Sequence, residues 1–535
     1  MHKGSGFIPK RDVAERKPLF DASSDTKLLC LFTQILFALS FVVSAWFCFN
    51  FLSQPILEAH GFRQTQTAIT SYYLIKNGFS FSYWTPVLGQ EWSVPFEFPI
   101  YQQIVAMAVK WLGTPLTNTG RAISWFFDAL CCIPVYMILR DLGVDKKTRF
   151  FSLALFMSAP LYLFWAGTFM MESTALFFVL WFVFYGIKIA NRAASTGDYV
   201  LASLFLTLSL LQKTTTGLPI ALLFLCFFSL SSVKLSDLKN NKKYLVKTYA
   251  AVFFSLLIAY VWVRFSDQVK MENPLGALLS SAAVTKWTFG LPEQRISPQL
   301  WKGVIWGRLF DHNLSGLFGL LALLGGLLLT RKNKTSLLIL TLLLAGFLPL
   351  FIFTNLHIVH SYYQMASGIF LLMALGISVT AVGDRLFEKV PIIYGLLLAF
   401  FVAANYYSFS IKSDYMDART SVINSQNNLI LNIADYIKAH TNEDDVVMWH
   451  GFEWSSEAPF YAERKSLTVA NWMGAETDVI EHTERYLRKP PRAIVLCPEA
   501  FNAAKIRKAI TVKFAPIKAH MIGLCEIYLL TNKEK

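Results

Sequence analysis

The chain has 535 residues, of which 54% are hydrophobic and 16% charged, with a formal net charge of +14. Its mean hydropathy is +0.44. Soluble proteins carry about 25% charged residues, so a water-soluble enzyme, a disordered chain, a collagen and a disulfide-stapled secreted module are excluded. A multi-pass α-helical membrane protein remains.

The first apolar run, Leu28–Leu52, is long enough to cross a bilayer. It is too long for a signal peptide, and no small-residue cleavage site follows it. Further runs lie at Ala122–Leu139, Phe150–Thr168, Thr174–Ile189, Tyr199–Leu211, Leu218–Leu230, Thr248–Val263, Leu314–Leu329, Leu337–Phe353, Ala366–Val382 and Pro391–Ser408. They predict about eleven crossings.

With residues 1–27 in the cytoplasm, the inside segments are Arg140–Arg149, Lys188–Arg192, Lys234–Lys247, Arg331–Lys334 and Arg385–Lys389. They and the N-terminus hold about twice as many Lys and Arg as the outside segments. The positive charge is therefore read as a topology signal. No nucleic-acid motif accompanies it, and no nucleic-acid partner is expected. Phe98–Trp111 is apolar but short and ends near Lys110, and it reads as a helix lying at the outer membrane surface.

Three domains are expected: a cytoplasmic segment 1–27, a transmembrane domain 28–410 with a large first outer loop 53–120, and an extracytoplasmic α/β domain 411–535. In the last, helix-like stretches (Ser421–His440, Glu476–Leu487, Ala500–Ala509) alternate with β-rich runs at Val446–Trp449, Leu467–Ala470, Ala493–Cys497 and Ile527–Leu530. Of seven cysteines, five lie in apolar runs. Cys497 and Cys525 lie in the outer domain, where both a disulfide and two free thiols are compatible with the sequence.

Polar residues at membrane depth are functional suspects, and here they gather at the ends expected to face outward. The first outer loop brings Glu58, His60, Arg63, Gln64 and Gln66 to the edge of the first crossing, as a polar site or a solvated, capped loop. Glu97 precedes Pro99, where a carboxylate also suits a helix N-terminus. Glu172 opens the fourth crossing, as a cap or a site residue. Lys213 interrupts two apolar runs; it either snorkels to the interface or clamps a phosphate headgroup. His357, His360, Tyr362 and Tyr363 close the ninth crossing, where Tyr also suits an aromatic belt. In the outer domain Trp449, His450, Glu453, Trp454 and Glu457 form a cluster suited to sugar recognition or to core packing. A divalent metal held by Glu58, His60 and Glu97 is an open alternative that the spacing does not demand.

Four motifs occur in order: Arg63-Gln64-Thr65-Gln66-Thr67-Ala68, Glu97-Phe98-Pro99-Ile100-Tyr101, Lys213-Thr214 and His360-Ser361-Tyr362-Tyr363. Together, over residues 28–385, the chain resembles the GT-C glycosyltransferases of the protein O-mannosyltransferase and lipid A aminoarabinose transferase group (glycosyltransferase family 39-like). The resemblance implies an inverting transfer of a sugar from a polyprenyl-phosphate donor to a glycan, lipid or protein acceptor. It implies a bacterial inner membrane, with the active site and C-terminal domain on the periplasmic side. By position, Lys213 matches the lysine that holds the donor phosphate, and Glu172 an acidic residue near the active site. Arg63 stands where the group has its catalytic Asp, and Glu97 where the aminoarabinose transferases have a phosphate-binding Lys. An exchange of roles follows as the expectation: Glu97 as base and Arg63 on the phosphate, with Glu58 and His60 as rival bases. A transporter or flippase of lipid-linked sugars, and a non-catalytic membrane interaction protein, are the competing readings.

Overall fold

The computed structural model describes residues 24–232, 238–424, 428–500, 502–514 and 519–530. The chain is a multi-pass helical membrane protein with a small C-terminal sheet. The expected segment 1–27 lies outside the described residues as far as residue 23. The chain divides into two units, one of residues 1–52, 121–260 and 286–417, the other of residues 53–120, 261–285 and 418–535. The outer loop 53–120, expected within the transmembrane domain, thus groups with the C-terminal residues.

In the first unit every apolar run lies on a helix. Seven helices in the described chain are long and apolar enough to cross a membrane, and an eighth span is the pair Gln299–Asp311 and Gly316–Leu329, bent by 82°. The expected number was about eleven, and the difference has local causes. The run 150–168 is split into Lys146–Ser158 and Pro160–Trp165 because Ala159 is extended (ψ 134°), as a residue before proline prefers. The runs 199–211 and 218–230 lie on Thr196–Gln212 and Thr214–Ser232, separated by the single extended residue Lys213.

Ser24–Asn50 exposes Leu28, Leu31, Ile35, Leu39, Val42, Trp46 and Phe49. Steps of three and four residues place these on one face, the face a lipid would cover. Met365–Leu386 lies at the other extreme and is buried along almost all its length. Its neighbours approach through small residues: a Cβ at Gly376 would meet Ser152 and one at Gly346 would meet Leu371. Such contacts supply the packing that apolar lipid does not drive.

The second unit is built on a five-stranded sheet: β1 (Val446–His450), β2 (Lys465–Val469), β3 (Ala493–Leu496), β4 (Ala519–Ile522) and β5 (Cys525–Leu529), in the order β2-β1-β3-β5-β4. β1 is parallel to β2 and β3, and β5 is antiparallel to β3 and β4. The edge of β2 is covered by the outer loop: Ser466 N donates to Pro86 O (3.0 Å), Thr468 N to Val87 O (2.7 Å), and Gly89 N to Ser466 O (2.9 Å). An edge closed in this way offers no template for foreign strands. Buried Asn273 donates to the carbonyls of Leu88, Gly89 and Glu91 and fixes the same segment.

Three local readings are corrected here. Glu476–Leu487 is a one-turn helix, Asp478–Glu481, followed by the 3-10 turn Thr483–Arg485. The strand β4 and the helix Glu457–Ala462 were not expected. Ser421–His440 lies partly outside the described residues; its described part includes the helix Leu429–His440. The surface helix read at Phe98–Trp111 is present as Ile100–Leu112, burying Tyr101, Gln102, Val105 and Ala106 and exposing Trp111 and Leu112. Cys497 and Cys525 form a disulfide with Cα atoms 4.2 Å apart.

Candidate functional site

In the second unit, the helix Gly61–Asn77 carries Arg63, Gln64 and Gln66. Its N-terminus begins after His60, which is left-handed (φ 54°) and whose carbonyl accepts from Arg63 N and Gln64 N. His60 provides no side-chain cap. The helix start is served by Glu457 of the sheet domain, whose carboxylate accepts from Phe62 N. Burial pushes the Glu457 carboxyl upward against that hydrogen bond. A Cβ at Gly61 would meet Glu457 Oε1, so a larger residue there would displace that carboxylate from the helix start.

Arg63 forms an ion pair with Glu97 (Nη2–Oε2 2.8 Å) and also donates to Gln66 Oε1. The other Glu97 oxygen accepts from Gln102 Nε2 (2.7 Å). Tyr83 fixes the backbone by donating to Glu97 O (2.7 Å) and accepting from Phe96 N (2.8 Å). Gln64 donates to Ala59 O (3.2 Å). Glu58 is turned elsewhere, into a fully buried ion pair with Arg419 at 2.9 Å. Of the residues weighed as metal ligands, Glu58 thus pairs with Arg419 and Glu97 with Arg63. No group of three His, Cys, Asp or Glu side chains converges among the described residues.

In the first unit, Lys213 and Glu172 form a buried ion pair. The ammonium also sits over two phenol rings, 4.7 Å from the Tyr362 centroid and 4.2 Å from that of Tyr363. Such cation–π contacts gain strength when water is excluded. Glu172 Oε2 has no hydrogen-bond partner among the described residues. The break at Lys213 gives this arrangement its form, because an extended residue between two helices turns a long side chain away from either ladder.

His360 stacks on Tyr362 with ring centroids 5.2 Å apart, and Tyr362 lies 4.8 Å from Tyr363. His357 is fully buried, on the short helix Thr354–Val359. Burial, then the positive charges of Lys213 and Arg308, push its imidazole down to about 3. It is thus neutral at ordinary pH. Its carbonyl accepts from Arg308 Nη1 (3.0 Å) and Gln364 Nε2 (2.9 Å).

Sequence reasoning overlooked Arg308, Gln102 and Arg419. Arg308 had a signal, a cation within the otherwise apolar run Val304–Phe310. Arg419 had none, since its partner Glu58 is 361 residues away. The cluster read in the outer domain divides. Trp449 is a core residue that donates to Ser466 Oγ (2.9 Å). Trp454 packs on Phe62 and Phe96. His450 and Glu453 lie at the end of β1 and just after it.

The sequence matches no family model and no curated protein. Solved structures resemble the chain along most of its length. ArnT from Cupriavidus metallidurans, in a crystal structure bound to undecaprenyl phosphate, gives a TM-score of 0.65 at 12% identity, over 93% of this chain and 98% of that one. The archaeal oligosaccharyltransferase AglB from Archaeoglobus fulgidus, in complex with an inhibitory peptide and a dolichol-phosphate, gives 0.58 at 10% identity, over 88% and 69%. The arabinofuranosyltransferase AftD from Mycobacteria gives 0.55 at 12% identity, over 93% of this chain and 40% of that one. All three are GT-C glycosyltransferases.

Proposed function

Because the chain has the GT-C fold, we propose that it is an inverting glycosyltransferase that moves a sugar from a polyprenyl-phosphate donor to an extracytoplasmic acceptor. The observation that carries this reading is the agreement in fold with ArnT bound to undecaprenyl phosphate, along 93% of the chain. The positive-inside bias supports an active site on the extracytoplasmic face, and the resemblance implies that the membrane is a bacterial inner membrane.

An acceptor hydroxyl oxygen bonds to the anomeric carbon while the bond from that carbon to the phosphate oxygen breaks. The bonding pair leaves with the phosphate and the hydroxyl proton passes to a carboxylate. The donor phosphodiester carries one negative charge, and the departing polyprenyl phosphate approaches two. Charge therefore develops at the phosphate, where a fixed cation lowers the barrier more than it tightens ground-state binding. Lys213 is assigned that role. Glu172 and the two tyrosines hold the ammonium in place, and neutral His357 adds no charge that would compete.

Glu97 is assigned the proton-accepting role. Arg63 and Gln102 each hold one of its oxygens and fix the orientation of the carboxylate. Glu58 is less suited, since its side chain is wholly buried against Arg419 while that of Glu97 keeps some exposure. Native mass spectrometry of the protein in nanodiscs tests the donor assignment: undecaprenyl phosphate binds the wild type, and Lys213→Met weakens it at least about tenfold. Equal binding by both proteins contradicts the assignment.

One observation favours a second reading. Asp128, midway along Leu116–Asp141, is fully buried, and neither carboxylate oxygen has a hydrogen-bond partner among the described residues. A carboxylate at membrane depth suits a transport path. Asp128→Asn separates the two: it spares donor consumption in a transferase and abolishes passage of a lipid-linked sugar across vesicles in a flippase.

A further inference from the structure

The carboxyl edge of the small sheet carries features that the transfer reaction leaves unused. β2 and β3 flank β1, so the chain leaves β1 first to one side and then to the other. The two connections also lie on opposite faces. Ala458 and Ala462, between β1 and β2, pack with Trp449, whereas Val479 and Ile480, between β2 and β3, pack with Met448. A reversal of this kind opens a crevice beyond the carboxyl ends of the strands.

Three loops meet there. Gly451 (φ +90°) follows β1 so closely packed that a Cβ would meet Cys497 O at 2.9 Å. Asn471, after β2, donates to Glu499 O (3.0 Å) in the loop after β3. Trp472 donates its indole N–H to Glu453 Oε2 (3.1 Å), yet its side chain is 54% exposed. Glu453 is itself held left-handed (φ 54°), a conformation that costs energy for such a residue. His450, the last residue of β1, is fully buried, and neither ring nitrogen has a hydrogen-bond partner among the described residues. Buried polar groups in native proteins are normally paired.

We propose that this crevice binds an uncharged sugar ring, with the Trp472 indole as its stacking face and Glu453 as its hydrogen-bonding group. An exposed indole presents a flat apolar surface with a polar edge, the complement of a pyranose with its axial C–H face and peripheral hydroxyls. The Glu453 carboxylate then pairs with hydroxyls. The charge pattern selects the class. Residues 450–457, 470–477 and 497–500 contain no Lys or Arg and include Glu453 and Glu499. A phosphate or uronate entering here meets uncompensated negative charge. The identity of this sugar as part of the acceptor rests on the transferase reading; the binding itself does not.

The test uses the full chain in nanodiscs. Uncharged disaccharides containing glucose, galactose, mannose or N-acetylglucosamine are titrated by saturation-transfer NMR, with a glucuronate-containing disaccharide and glucose 6-phosphate as acidic controls. At least one uncharged sugar binds, the acidic sugars bind at least about tenfold more weakly, Trp472→Ala reduces binding by about tenfold or more, and Trp472→Phe restores it. Undecaprenyl phosphate binding, measured on the same samples, is unchanged by Trp472→Ala. Absence of binding by every uncharged sugar, equal binding of acidic sugars, or binding indifferent to Trp472→Ala overturns the proposal. Loss of undecaprenyl phosphate binding in the wild type instead overturns the donor reading and leaves the sugar result to be judged by itself.

Discussion

The Arg63 guanidinium and the Glu97 carboxylate form an ion pair at 2.8 Å, with side chains only 17% and 12% exposed. In the sequence these residues are 34 positions apart. In the folded unit they are a single electrostatic element. Removing either charge leaves the other partly buried, so the two substitutions are coupled. Arg63→Ala and Glu97→Gln each destabilise the protein by about 1–3 kcal/mol, and the double variant costs scarcely more than the worse single one. Chemical denaturation of the four proteins of this cycle measures the coupling. Glu97→Gln lowers turnover by about 10²–10⁴-fold, beyond anything its stability change explains.

Lys213 and Glu172 make a stronger case of the same kind, since both side chains are buried. Lys213→Met leaves a buried carboxylate without its cation and costs about 3–5 kcal/mol. The double variant Lys213→Met/Glu172→Gln recovers most of that stability but not donor binding. Thermal unfolding in nanodiscs together with undecaprenyl phosphate binding separates the structural role of the pair from its role toward phosphate. Recovery of both properties in the double variant contradicts the phosphate assignment.

The Cys497–Cys525 bridge closes a sequence separation of 28 residues within the core that contains Trp449 and Ile527. Its loss, through Cys497→Ser/Cys525→Ser, lowers the stability of the sheet domain by about 2–4 kcal/mol. Thiol labelling without reductant modifies neither cysteine in the intact protein. Labelling of both in denatured, unreduced protein refutes the bridge.

Burial pushes the His450 imidazole down to about 4, so the folded state favours its neutral form. The unfolded chain takes up a proton near the ordinary histidine pKa of about 6.5. Stability from this group is complete above about pH 6.5 and falls as pH drops toward 4. Limited proteolysis of the sheet domain between pH 4 and 7 shows this loss, and His450→Gln reduces the slope. An unchanged slope in the variant assigns the pH dependence to other groups.

The helical membrane plan was legible because apolar runs of crossing length have few other uses. Its count was less so. Ala159–Pro160 and Lys213 each end a helix inside or between runs that hydropathy alone joins or equates. The parallel strands β1, β2 and β3 were visible as short β-rich runs. β4 was missed because its four residues, Ala-His-Met-Ile, lack alternation, and its two-residue turn at Gly523-Leu524 carries the only strong cue. The outer loop 53–120 joins the sheet unit in part through backbone hydrogen bonds of Ser466, Thr468 and Gly89, which leave no side-chain signature. The same limit applies to the site. Sequence reasoning named Arg63, Glu97, Glu172 and Lys213 individually, but which charge faces which is decided by the fold. Glu58 illustrates the consequence, since its partner Arg419 lies at the far side of 361 residues.

The most direct measurement is consumption of a radiolabelled undecaprenyl-phosphate sugar by the purified chain in proteoliposomes, with total membrane lipid and glycan as acceptor. The account predicts turnover by the wild type with inversion at the anomeric carbon, loss of about 10²-fold or more in Glu97→Gln, and loss of donor binding in Lys213→Met/Glu172→Gln. Turnover that survives both changes, or transfer with retained anomeric configuration, contradicts it.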